Sequence, residues 1–181
     1  VIALATSDGF AGAYRSGRHG CSAAMVAGEG SGMQRDHHWH GVRHLADLDP
    51  AEGIGREAGE RAVARLGASR PRPGTYPVLF DPRVSGTLLG HLTGAITGAA
   101  VARGTSFLKD RLGEPVLAPG VTIRDDPLRP RGLRSHPFDG EGVRVAPVDL
   151  VSDGRLNQWI AESASARQLG IAPTGHAARG V

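Results

Sequence analysis

The chain has 181 residues, of which 40% are hydrophobic, 22% charged and only 4% aromatic, with 27 glycines and 12 prolines. That balance excludes a disordered tail and a fibrous repeat, and leaves room for about one domain of ordinary size or parts of two. The net charge is +3 and Lys109 is the single lysine among the basic residues; the arginines alternate with Asp and Glu, so the clustering that nucleic acid asks for is missing.

Cys21 is the single cysteine, which excludes an internal disulfide framework and fits a reducing compartment. The chain opens on Val1-Ile2-Ala3-Leu4 without Met and without the basic region of a secretory signal. Val1 starts inside a strand-like run and Val181 follows an unfinished glycine-rich stretch, so the sequence reads as an internal piece of a longer protein.

The first 48 residues read as strands. Val1 to Thr6 is β-compatible, Ser7-Asp8-Gly9 is a turn signal, and Phe10 to Ser16 returns as a hairpin. Cys21 to Ala27 is broken by Gly28, Gly30 and Gly32, and Met33 to His40 follows as a partner in an antiparallel sheet. Residues 49–74 form a helix and connector. Asp49 is the expected N-cap, with Pro50 at the first helical position and Glu52 three residues after the cap. The helix runs towards Leu66, weakened by Gly53, Gly55 and Gly59.

Residues 75–181 open a further domain, which the sequence leaves incomplete. A short buried strand is expected from Tyr76 to Phe80. From Val84 to Ala102 no Asp, Glu, Lys or Arg occurs, but Ser85, Thr87, His91, Thr93 and Thr97 make the stretch too polar for a membrane span. A buried helix in a soluble core is the expectation. Gly86, Gly90, Gly94 and Gly98 recur every four residues and form a stripe that lets another backbone approach closely, inside the domain or at a subunit interface. Val121 to Arg124 is a strand candidate, Val143 to Val151 pairs with Leu156 to Ile160 across Ser152-Asp153-Gly154, and Ser163 to Leu169 is a short helix ending at Gly170. The order of elements predicts an α+β fold, with antiparallel sheets around a central buried glycine-rich helix.

Few residues point to chemistry. Of His37, His38, His40 and His44, only His38 and His40 share a strand face, which is short of a tetrahedral zinc set. His91 lies in the uncharged helix without a second His or a Glu beside it. Asp125, Asp126, Asp139 and Glu141 are acidic pairs near turns. No catalytic residue and no metal ligand set is expected; His91, Asp139, Glu141 and His176 are the candidates for lining a pocket.

The landmarks of the chain carry a resemblance. Gly28-Glu29-Gly30 with Met33-Gln34-Arg35-Asp36, then Gly90-His91-Leu92, Ser106-Phe107-Leu108 and Ser135-His136-Pro137-Phe138-Asp139-Gly140-Glu141-Gly142 stand in order. Gln158-Trp159, Ser165-Ala166-Arg167 and Thr174-Gly175-His176-Ala177 close the series. This pattern resembles the TldE-type (PmbA) members of the TldD/PmbA family, across nearly the whole chain.

The resemblance implies a cytoplasmic, heterodimeric metalloprotease that degrades unfolded peptides, in which TldD-type subunits carry a His-Glu-x-x-x-His zinc motif. In one register Gly90 and Ala95 stand at its histidine positions and His91 at the glutamate; in the other, Leu92 replaces the glutamate and Ile96 the second histidine. Neither rebuilds the site. The resemblance therefore implies a non-catalytic subunit without a cofactor of its own, whose partner is the zinc-bearing TldD-type chain. A second reading, from the family's other name, modulator of DNA gyrase, is a regulatory protein that binds gyrase or another macromolecule.

Overall fold

The computed structural model describes residues 1–179. They divide into two compact units. One is built from residues 1–15, 78–130 and 134–179, and the other from 16–77 with 131–133.

In the second unit a long hairpin carries a helix. Strands β3 (His19–Ala27) and β4 (Gln34–Val42) pair antiparallel with Cys21 opposite His40 and Ala23 opposite His38. Side chains alternate across a strand, so one face takes Cys21, Ala23, Met25, Asp36, His38 and His40. Helix α1 (Ala51–Ala64) packs on the hairpin through Ile54, Ala58 and Ala62, all buried. Burying a side chain the size of Ile54 contributes about 1.5–3 kcal/mol.

The helix starts one residue later than its sequence signals imply. Pro50 occupies the N-cap and Asp49 makes no cap hydrogen bond. His40 is the competitor: its Nδ1 lies 3.0 Å from the Asp49 carboxylate and 3.1 Å from the Asp49 amide.

In the first unit, β1 (Ile2–Ala5) and β2 (Ala11–Tyr14) form the expected hairpin, closed by a turn with Gly9 at φ 96°. Strands β5 (Ile123–Asp125), β6 (Val148–Ser152) and β7 (Arg155–Leu156) make an antiparallel sheet in that order. Asp153 and Gly154 both have positive φ, 47° and 79°, which matches the mirror-image turn that suits a two-residue hairpin. β6 begins at Val148, later than Val143. Pro147 lacks an amide hydrogen, Val145 donates to Pro137 O and Arg144 bridges to Phe138, so the upstream backbone is engaged elsewhere. Of the expected 156–160 partner region only Leu156 lies in the paired strand β7, which Arg155 opens from outside that region.

The uncharged stretch forms two helices where the sequence suggested one. Helix α2 (Pro82–Ala95) is capped by Asp81, whose carboxylate accepts the Arg83 amide at 2.8 Å. It stops at Ala95, and α3 (Gly98–Ala102) restarts after Thr97. The cause is remote in sequence. Ile160 donates to Ile96 O at 2.9 Å and accepts the Gly98 amide at 2.7 Å, so the backbone at the break pairs like a strand.

Burial follows that break. Ala95, Ile96 and Val101 join Leu108, Leu150, Val151, Leu156 and Trp159 in the core, whereas Val84, Leu88, Leu89 and His91 on α2 are exposed. The segment Tyr76 to Phe80 is not the buried strand its composition suggested. It pairs with no strand among the described residues and Leu79 is 100% exposed; Pro77 inside it removes a ladder donor. Helix α4 (Ser163–Leu169) ends at Gly170 in the left-handed conformation, φ 67°. The described chain thus has the α+β class with antiparallel sheets.

Candidate functional site

The site is built on a loop that one carboxylate organises. Asp139 is 5% exposed. Its Oδ1 accepts the amides of Glu141 and Val143, each at 2.9 Å, and its Oδ2 accepts the Ala177 amide at 2.9 Å. Beside it, the Gly140 amide donates to Ala177 O at 2.8 Å. This approach needs glycine, because a Cβ at position 140 would stand 2.9 Å from both Ala177 O and Arg179 N.

Glu141 continues the junction. Its Oε2 accepts the Ser163 amide at 2.9 Å, and its Oε1 pairs with the Arg179 guanidinium. Hydrogen bonding from Ser163 holds the Glu141 carboxyl below the usual carboxylate range, and Arg179 adds to this against the opposing effect of desolvation. Arg179 also reaches Glu162 at 3.4 Å.

His176 lies on the same segment as Ala177. Its Nδ1 is 2.9 Å from Thr174 Oγ1, which in turn accepts the Ala161 amide at 2.8 Å and donates to Ala161 O at 3.1 Å. Its Nε2 is 3.3 Å from an Asp125 carboxylate oxygen, yet it is buried without a well-oriented hydrogen bond. That nitrogen has a charged neighbour in place of a directional partner.

Asp139, Glu141 and His176 are therefore brought together by the pairing of residues 139–143 with 177–179. His91 is not: it stands exposed on α2. A cavity of about 420 Å³ opens where Ile2, Leu4 and Tyr14 of the β1–β2 hairpin face His136, Phe138 and Asp139. Glu141 and His176 are outside its lining. Arg179 was missed from sequence, and Asp125 and Thr174, though noted there, were not connected with His176; Glu141 and Arg179 are 38 residues apart, and no spacing rule connects them.

The four stripe glycines have two different surroundings. An added Cβ at Gly86, Gly90 or Gly94 would meet nothing within 4 Å, whereas at Gly98 it would stand 2.6 Å from Ser165 Oγ and 3.0 Å from Ala161 Cβ. Gly98 serves packing inside the unit, and the other three line an open helix face.

The histidines of β4 are paired with acids. His38 Nε2 is 3.2 Å from Glu57 and its Nδ1 is 2.8 Å from an Arg61 nitrogen, while His40 faces Asp49. Among the described residues no group of three His, Cys, Asp or Glu side chains is arranged to hold a metal. Nor does α2 fit a zinc ion, because His91 is its one donor of that kind.

Comparison with known proteins accounts for this architecture. Residues 1–66 match the family model described as the PmbA/TldA metallopeptidase central domain, and residues 73–181 match its C-terminal domain. The chain is 40% identical to the Metalloprotease PmbA of Escherichia coli O157:H7 over 177 residues, which cover 98% of this chain and 39% of that protein. It therefore spans about two fifths of the length of that relative. A Bacteroides thetaiotaomicron structure described as a candidate modulator of DNA gyrase superimposes with a TM-score of 0.88 at 28% identity, covering 95% of this chain and 39% of that one. TldE from Thermococcus kodakarensis gives a TM-score of 0.64 at 26% identity, covering 88% of this chain and 37% of that one. The chain belongs to the PmbA/TldD family.

Proposed function

We propose that this chain is part of the subunit without the zinc motif in a two-component metallopeptidase that degrades unfolded peptides in the cytoplasm. The observation that supports the reading is the composition of α2 and its end, Gly90-His91-Leu92-Thr93-Gly94-Ala95-Ile96, which has one histidine and no glutamate in either register that the resemblance offers for a His-Glu-x-x-x-His motif. A lone exposed histidine supplies one ligand and no general base, whereas hydrolysis at zinc needs three ligands and a base. The bond-cleaving zinc would then belong to a TldD-type partner.

In this reading the chain contributes surface. The β1–β2 hairpin is two-stranded, so each strand has an outer edge that can pair with an extended peptide irrespective of its sequence. The open glycine face of α2, flanked by the exposed Val84, Leu88 and Leu89, is the surface we assign to the partner subunit. Zinc analysis of the purified full-length protein tests the reading. Less than about 0.1 zinc per chain is expected; a stoichiometric ion that survives dialysis would contradict it.

A further inference from the structure

The largest cavity among those described, about 580 Å³, belongs to neither the Asp139 junction nor the α2 face. Its walls are mainly apolar, with Leu112, Pro147, Val148, Ile171 and Pro173 contributing. Arg144 is the one charged residue in its lining. The Arg144 side chain is exposed and has no ion-pair or hydrogen-bond partner among the described residues.

The other polar groups of the lining sort into used and unused. Thr174 Oγ1 is engaged with Ala161 and His176. The Asn157 amide donates to Asp149 O at 2.8 Å and to Ser152 Oγ at 2.7 Å, so its hydrogens are taken. Trp159 differs. Its ring is largely buried, at 6% exposed, it lines the cavity, and its indole N–H has no acceptor among the described residues and remains open to solvent. The Gln158 amide is likewise unpartnered among the described residues.

Arg144 and Trp159, each with donors that no described residue uses, thus line a mainly apolar hollow whose lining holds no acid. Both are donors, so the complementary group is an anionic acceptor, and a carboxylate matches the planar fork of arginine. The apolar walls ask for an aliphatic body on that carboxylate, and the volume lies within the range of small-ligand sites. Gln158 can meet a backbone amide in either sense.

We propose that this cavity binds an aliphatic residue through its free carboxylate, as at the C-terminal end of a peptide, with Arg144 and Trp159 as the carboxylate donors. The choice of a peptide rests on the function proposed above. Binding is read on this subunit without its partner and without turnover, so the two ideas fail separately.

The test is calorimetric titration of the full-length protein with acetyl-Ala-Leu as the free acid and as the C-terminal amide. The acid is expected to bind at least about ten-fold more tightly than the amide. Arg144→Gln, at an exposed side chain, is expected to abolish that preference, and Trp159→Phe to weaken acid binding several-fold while the unfolding temperature stays within a few degrees. Acetyl-leucine binding as tightly as the dipeptide would keep the carboxylate site and assign it to a small acid; tighter binding of the dipeptide assigns it to a peptide end. Equal affinity of acid and amide, an undiminished preference in Arg144→Gln, or no binding of either at millimolar concentration would overturn the proposal.

Discussion

Asp139 holds Ala177 against its own loop: the carboxylate accepts the Ala177 amide at 2.9 Å, across 38 residues of chain. The same side chain accepts the amides of Glu141 and Val143. One buried carboxylate therefore satisfies three backbone donors and fixes the segment that carries His176 and Arg179.

Asp139→Ala leaves those donors without their acceptor. An unsatisfied buried amide costs about 1–3 kcal/mol, and the three share one environment, so a loss of about 3–5 kcal/mol is expected. Urea unfolding of the full-length protein measures it. A loss under about 1 kcal/mol would mean that water replaces the carboxylate.

Glu141 predicts an acid-sensitive contribution. Its carboxyl is held below the usual value of 4.5, chiefly by hydrogen bonding from Ser163. A depressed folded-state value means that the charged form is preferred in the native state. Its stabilisation is complete above the ordinary carboxylate range and is lost as pH falls through the lower, folded-state value. Wild type should therefore be more stable than Glu141→Gln at neutral pH, with the two curves converging in acid. Parallel curves would contradict the role assigned to this carboxylate.

Two glycines of the stripe should respond with opposite sign. At Gly98 a methyl group collides with Ser165 and Ala161, and Gly98→Ala is expected to cost about 1–3 kcal/mol by overpacking. Gly90 lies exposed within α2 with open space around it, so Gly90→Ala should stabilise the separate subunit by up to about 1 kcal/mol through helix propensity. The same change should weaken association with the zinc-bearing partner, read by analytical ultracentrifugation. Unchanged association would remove α2 from the interface.

What the sequence discloses here is what short-range chemistry controls. Ser7-Asp8-Gly9 and Ser152-Asp153-Gly154 mark hairpins because turn geometry is local, and Gly170 ends α4 because it takes a positive φ. The two-residue period of a strand is enough to place His38 and His40 on one face. At Tyr76 to Phe80 the misreading is local, because Pro77 removes a ladder donor; elsewhere a remote residue competes for a local group. Ile160 takes the backbone at Ile96 and Gly98 and divides the uncharged helix. His40 lies against Asp49 in place of a helix cap. Arg179 meets Glu141 without any pattern linking them. Family landmarks at Ser135 to Gly142 and Thr174 to Ala177 pointed to the segments that pair in the fold, while the unpartnered Arg144 and Trp159 become visible only once the cavity has formed.

Cleavage of an unfolded peptide by the full-length protein, alone and mixed with the zinc-motif subunit from the same cell, tests the central claim most directly. The account predicts cleavage in the mixture that a chelator abolishes, and none above background from this protein alone. Chelator-sensitive cleavage by the protein alone would contradict it.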